Sequence, residues 1–133
     1  MIPLKLIDDK ANDDINLSGV QTNSKMIENG NLFVAINGNN HNGEDYIDEA
    51  IGKGAVAILT SNKEIKKKNV PIIFHQNPRQ KLSELSKLFF PGSPNIICAV
   101  TGTNGKTSTV DFLYQIWKLL GYNSATIGTL GVK

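Results

Sequence analysis

The order of apolar and polar positions predicts an alternation of strands and helices from about residue 30 onward. Leu32-Phe33-Val34-Ala35-Ile36 is a compact apolar run of strand length, closed by the Asn- and Gly-rich stretch Asn37 to Gly43. Tyr46, Ile47, Ala50 and Ile51 then share one face at helical spacing, and Gly52 and Gly54 end that helix. Ala55 to Leu59 and Val70 to Phe74 read as two further strands, with a lysine-rich segment between them. Asn77-Pro78 is a helix start. The Asn side chain can accept from a free first-turn amide, and proline at the first helical position lacks only an N–H that would have no partner there. Leu82, Leu85, Leu88 and Phe89 are the expected buried stripe of this helix.

Pro91-Gly92-Ser93-Pro94 then forms a stiff connector, which places a domain boundary there and predicts domains over 1–94 and 95–133. The second opens with a strand over Ile96 to Val100 and a glycine turn. A helix follows with Val110, Leu113, Trp117 and Leu120 on one face, Gly121 caps it, and Ala125-Thr126-Ile127 begins another strand. The fold class is α/β: a small α/β domain followed by one βαβ unit. A single such unit cannot cover its own sheet, since parallel strands need neighbours on both sides, so the chain is expected to be truncated.

Composition narrows the classes. With 133 residues, 40% apolar and 20% charged, the chain can bury a core, which excludes disordered and fibrous classes. Its apolar runs are about five residues long, against the ~20 needed to cross a bilayer, and the first residues carry no signal-peptide pattern. The single cysteine, Cys98, reads as a packed strand residue and allows no internal disulfide. A net charge of +2 and one basic run, Lys66-Lys67-Lys68, without interleaved aromatics give no nucleic-acid footprint. A cytoplasmic monomer is expected, with neither nucleic acid nor membrane as partner.

The strongest chemical signal is Thr101-Gly102-Thr103-Asn104-Gly105-Lys106-Thr107, set between an apolar run and an amphipathic helix, the context a P-loop requires. Glycines let backbone amides approach phosphate oxygens without a Cβ clash, and the helix N-terminus adds partial positive charge. Lys106 is suited to reach the β- and γ-phosphates, and the Thr107 hydroxyl to ligate Mg²⁺. The loop is a variant, because the usual first-glycine position is Val100 and the glycine sits at Gly102. A nucleoside triphosphate is the predicted ligand.

Two polar segments flank the first strong strand: Thr22-Asn23-Ser24-Lys25, and Asn37 through Glu44. Such residues can read a uracil edge or a ribose hydroxyl by hydrogen bonds, and they also make ordinary turns. His41 and His75 have no second ligand-type residue at metal spacing, so neither is assigned a metal.

From about Ser18 to Val132 the chain resembles the N-terminal portion of the Mur ligases, most closely the branch that forms UDP-N-acetylmuramoyl-tripeptide. The residues that carry the resemblance are the Thr-Gly-Thr-Asn-Gly-Lys-Thr loop at 101 to 107, Leu-Phe-Val-Ala at 32 to 35 with Gly38 and Asn42-Gly43 beyond it, Gly54-Ala55-Val56-Ala57, and Ile127-Gly128-Thr129. The resemblance implies a UDP-substrate domain over 1–94 and the start of a central ATPase domain over 95–133. It implies UDP-substrate contacts at Thr22, Ser24, Asn39, Asn40 and His41. For ATP it implies Gly102, Thr103, Asn104, Gly105, Lys106, Thr107 and Ser108, with Lys106 catalytic and Thr107 on Mg²⁺. Asn23 and Lys25 stand where the family's signature has Asp and Arg, and Asn42-Gly43-Glu44 replaces the commoner Asp-Gly followed by a basic or His residue.

The implied chemistry is ATP-driven amide formation in peptidoglycan precursor synthesis, with UDP-N-acetylmuramoyl-dipeptide and an amino acid, diaminopimelate or lysine, as substrates. The dipeptide carboxylate attacks the γ-phosphate to give an acyl phosphate, and the incoming amine then displaces phosphate. Further machinery of the family lies beyond residue 133, so the chain alone is expected to be inactive. The alternatives are a non-catalytic UDP-substrate-binding fragment and the sister ligase that adds the terminal dipeptide.

Overall fold

The computed structural model describes residues 1–9, 14–38, 41–65 and 68–133, which form two compact units, Met1–Gly92 and Ser93–Lys133. In chain order the strands are β1 (Ile2–Pro3), β2 (Asn16–Leu17), β3 (Gly19–Gln21), β4 (Asn31–Val34), β5 (Ala57–Thr60), β6 (Ile72–Phe74), β7 (Ile127–Gly128) and β8 (Gly131–Val132). The helices are α1 (Ile47–Gly52), α2 (Pro78–Phe89) and α3 (Lys106–Leu119).

The first unit is built on a four-stranded, all-parallel sheet in the order β3-β4-β5-β6. Every residue of β4 and β5 is buried, as a parallel sheet covered on both faces demands. The pleat sorts their side chains. Leu32, Val34, Ala57 and Leu59 join Leu4, Leu17, Ile73 and Leu85 on one face, while Phe33, Ala35 and Ile58 meet Ile27, Ile47 and Ala50 on the other. The first face is thus closed by α2 and the N-terminal segment, the second by α1. Burying side chains such as Phe33, Leu32 and Leu59 contributes roughly 1.5–3 kcal/mol each.

Strands appear where the apolar runs predict them, displaced by one or two residues at their ends. The expected run Leu32–Ile36 pairs over Asn31–Val34, Ala55–Leu59 over Ala57–Thr60, and Val70–Phe74 over Ile72–Phe74. The edge strand β3 is additional. It is three half-buried residues long, below the length at which alternation can be recognised.

The caps follow the sequence closely. Asn77 Oδ1 accepts from the amide of Gln80, and Pro78 opens α2. At the end of α1, Gly54 adopts φ 105°, its amide donates to Ile51 O at 3.0 Å, and that of Ala55 donates to Ala50 O at 3.0 Å. The α2 stripe is narrower than expected: Leu85 is buried and Leu82 and Phe89 half-buried, but Leu88 is 47% exposed. At 3.6 residues per turn Leu88 lies about 60° past Leu85, on the side away from Leu82 and Phe89.

In the second unit, α3 forms as predicted and ends at Gly121, whose φ is 83° and whose amide donates to Lys118 O at 3.0 Å. Val110, Leu113 and Trp117 are half-buried, whereas Leu120 is exposed. The strand pairing differs from the expected βαβ. Ile96–Val100 pairs with no strand among the described residues, Cys98 is exposed and not packed, and β7 pairs antiparallel with β8, with Ile127 opposite Val132. A local hairpin closes at small entropic cost, whereas a parallel partner must arrive from far along the chain. Among the described residues no helix is long and apolar enough to cross a membrane.

Candidate functional site

Parallel pairing puts the C-terminal ends of β3, β4, β5 and β6 on one edge of the sheet, the edge at which open α/β sheets take their ligands. Thr22 to Lys25 leave β3 there, and Asn37, Gly38 and His41 to Gly43 follow β4 beside them. The two polar segments named from sequence therefore share one rim.

After β3, Asn23 Oδ1 accepts from the amide of Lys25 at 3.0 Å and starts a 3₁₀ turn over Ser24–Met26. Thr22 is exposed. Ser24 is buried, 5% exposed, and its Oγ donates to Glu49 Oε2 of α1 at 2.7 Å. The other oxygen of Glu49 accepts from Lys53 Nζ at 2.8 Å. Hydrogen bonds from Lys53 first and Ser24 second hold the Glu49 carboxyl below its usual range.

After β4 the backbone folds on itself, with Gly38 N donating to His41 O at 2.9 Å and Gly43 N to Ile36 O at 3.1 Å. Gly43 has to be glycine, because a Cβ there would lie 2.5 Å from Ile36 N. His41 is exposed, with its Nδ1 3.5 Å from the Tyr46 hydroxyl. Asn39 and Asn40, together with Lys66 and Lys67 of the basic run, lie outside the described residues. Glu44 ties this loop to the end of β5, accepting from Thr60 Oγ1 at 3.3 Å and Asn62 Nδ2 at 2.9 Å.

Sequence reasoning missed Glu49 and placed Glu44 only as part of the polar loop. Glu49 carried a faint signal in its i,i+4 spacing to Lys53. The Ser24 contact, 25 residues away, carried none.

In the second unit Gly105 caps α3 in the left-handed region at φ 76°, a conformation that turns the loop directly into the helix and that only glycine adopts without strain. No acidic side chain stands in the first turn of α3, so its amide end is not neutralised. Gly102 to Ser108 are all exposed. Lys106 Nζ folds back over the loop, donating to Gly102 O at 2.5 Å and Thr103 O at 3.2 Å. These bonds hold the ammonium over the hollow of the loop, where it can exchange carbonyl partners for phosphate oxygens. Beside it a cleft of about 190 Å³ is lined by Lys106, Thr107, Asp111 and the β7–β8 hairpin. Asp111 accepts from Lys133 Nζ at 2.6 Å and Gln115 Nε2 at 2.7 Å, which lower its carboxyl from the ordinary range, Lys133 chiefly.

The described residues contain no cluster of three or more His, Cys, Asp or Glu able to hold a metal. The exposed Thr107 hydroxyl fits Mg²⁺ only as one ligand of an ion that arrives with nucleotide phosphates, the usual way this ion is held.

Residues 16–90 match the Mur ligase family, catalytic domain, and residues 100–133 match the Mur ligase middle domain. The chain belongs to the Mur ligase family. Its relatives include the UDP-N-acetylmuramoyl-L-alanyl-D-glutamate–2,6-diaminopimelate ligases of Rickettsia conorii, 41% identical over 121 residues, and Bradyrhizobium diazoefficiens, 43% identical over 118. In both cases the match covers 89% of this chain and 24% of the relative, so this Mur ligase chain spans about a quarter of the length of those proteins. Among solved structures, the MurF ligase from Thermotoga maritima in complex with ADP is 31% identical, with a TM-score of 0.62 over 80% of this chain and 24% of that one. A UDP-N-acetylmuramoyl-L-alanyl-D-glutamate–2,6-diaminopimelate ligase superposes over 99% of this chain and 28% of its own, with a TM-score of 0.76 at 21% identity, a likeness of fold.

Proposed function

We propose that this Mur ligase chain contributes the UDP-substrate domain, residues 1–94, and the opening of the ATPase domain, residues 95–133, of an ATP-dependent amide-forming ligase of peptidoglycan precursor synthesis. The substrate is UDP-N-acetylmuramoyl-dipeptide, and the amino acid added in third position is diaminopimelate. The observation that carries the reading is 41–43% identity, across both the sheet rim and the Lys106 loop, to ligases named for that reaction. The sister reading is supported by 31% identity to the Thermotoga MurF ligase, over a smaller share of the chain.

Thr22, Ser24 and His41, at the rim of the sheet, hold the uridine nucleotide together with Asn39 and Asn40, which lie outside the described residues. Gly102 to Ser108 hold ATP: the amides of the loop and of the first turn of α3 bind phosphate oxygens, and Lys106 balances their charge as the γ-phosphoryl group moves to the dipeptide carboxylate. Thr107 is the residue that would hold Mg²⁺, which when bound neutralises and orients the phosphates.

Calorimetry on the 133-residue chain tests this. Expected are saturable heat with UDP-N-acetylmuramoyl-L-alanyl-D-glutamate, abolished by excess UDP, and Mg²⁺-dependent ATP binding lost in Lys106→Ala. Absence of any UDP-dependent heat would overturn the substrate assignment, and ATP binding unchanged in Lys106→Ala would overturn the phosphate role. ATP-coupled amide formation by this chain alone would refute the view that it binds without ligating.

A further inference from the structure

The partner of the Ser24 hydroxyl decides what that hydroxyl can offer a ligand. A serine hydroxyl has one proton and two acceptor lone pairs, whereas an ionised carboxylate only accepts. Glu49 is held ionised by Lys53 and Ser24, so the 2.7 Å contact fixes the direction of the bond: Ser24 gives its proton to Glu49. Among the described residues Ser24 Oγ accepts no hydrogen bond from the protein, and the residue lies in the turn that follows the C-terminal end of β3, on the rim. Toward anything bound there, Ser24 can act only as an acceptor.

We propose that Glu49 is a positioning residue that makes Ser24 an obligate acceptor and thereby selects a base presenting a donor, the imide N–H of uracil, over one presenting a bare ring nitrogen, as cytosine does. The inference rests on the reading of this rim as the uridine nucleotide site. Discrimination of this kind is strong because the wrong base sets acceptor against acceptor with little water to relieve it. Glu49 acts through Ser24 alone. It stands on α1 and is itself exposed, so changing it opens no cavity in the core.

The test compares UDP and CDP binding by calorimetry in the wild-type chain, Ser24→Ala, Glu49→Gln and the double variant. The wild type should favour UDP by about tenfold or more. In Glu49→Gln the carboxamide can donate to Ser24, which frees the hydroxyl proton to face the base, so the UDP-to-CDP ratio should fall toward one. Ser24→Ala should lose the same preference, and adding Glu49→Gln to it should change the ratio no further. A merely structural Glu49 would weaken both nucleotides equally. An unchanged ratio in Glu49→Gln with UDP still bound overturns the inference and leaves the uridine site standing. A wild-type chain that binds UDP and CDP equally overturns it as well, while one that binds neither overturns the site and the inference together.

Discussion

The carboxylate of Glu44 accepts a hydrogen bond from Asn62 Nδ2 at 2.9 Å, which joins the loop leaving β4 to the turn that follows β5. Thr60 Oγ1, fully buried, donates to the same carboxylate at 3.3 Å and also accepts from the Asn62 amide at 3.1 Å. One acidic side chain thus closes a small polar network over the end of the sheet. Glu44→Ala should cost about 1–3 kcal/mol, because the buried Thr60 hydroxyl loses its acceptor. Urea unfolding measures the cost. Hydrogen exchange should quicken at Gly38 and Gly43, and unchanged protection there would show that the loop is held by its own backbone bonds.

A second prediction contrasts two apolar side chains of the first unit. Phe33 is 1% exposed between β4 and α1, whereas Leu88 is 47% exposed on α2. Phe33→Ala should destabilise the unit by about 3–5 kcal/mol through the cavity it leaves. Leu88→Ala should fall within about 0.5 kcal/mol of wild type. Comparable losses from the two in chemical denaturation would contradict the sidedness of α2.

Gly105 supplies a third. Its φ of 76° is strained for any side chain bearing a Cβ, although no atom stands within 4 Å of where that Cβ would lie. Gly105→Ala should therefore cost about 1–2 kcal/mol in backbone strain without a steric clash. The loop would relax away from the left-handed cap, and ATP binding should weaken more than thermal stability does. If melting temperature falls with ATP affinity unchanged, the cap matters to the helix and not to the phosphate site.

The fourth concerns pH. Glu49 has its folded-state pKa lowered by Lys53 and then Ser24, so the unfolded chain binds its proton more readily. The associated stability is fully present above the ordinary glutamate pKa and is lost as pH falls through the lower, folded value. Lys53→Met removes the larger cause. NMR titration of the Glu49 carboxyl should show its midpoint move upward toward the ordinary range in that variant, and an unmoved midpoint would leave Lys53 without the role its 2.8 Å contact suggests.

Reading these elements from sequence succeeded where the signal is local. The apolar run at Leu32, the Asn77-Pro78 start of α2 and the Gly121 stop of α3 each depend on residues within one turn or strand of one another. It failed where a distant partner decides. Gly19-Val20-Gln21 becomes a strand only because β4 lies beside it, and Ile96 to Val100, with a better apolar pattern, pairs with no strand among the described residues. The rim shows the same division. The resemblance names Ser24, but the acid that accepts its proton sits on another element, and no spacing rule connects positions 24 and 49. The narrow stripe of α2 was a matter of angle: four apolar residues were counted where the sheet meets three.

Because the four strands β3 to β6 of the main sheet all run the same way, the packed interior and the candidate rim occupy different ends of the same peptide segments. The interior of β4 and β5 is committed to packing, while polar side chains past the strand ends bond to one another, Ser24 to Glu49 and Asn62 to Glu44. Asn23, Lys25, Asn42 and Glu44, at which the chain differs from the signature it resembles, all lie in the loops that follow β3 and β4. Such a layout lets a side chain of the rim be replaced without disturbing the packed interior of the sheet.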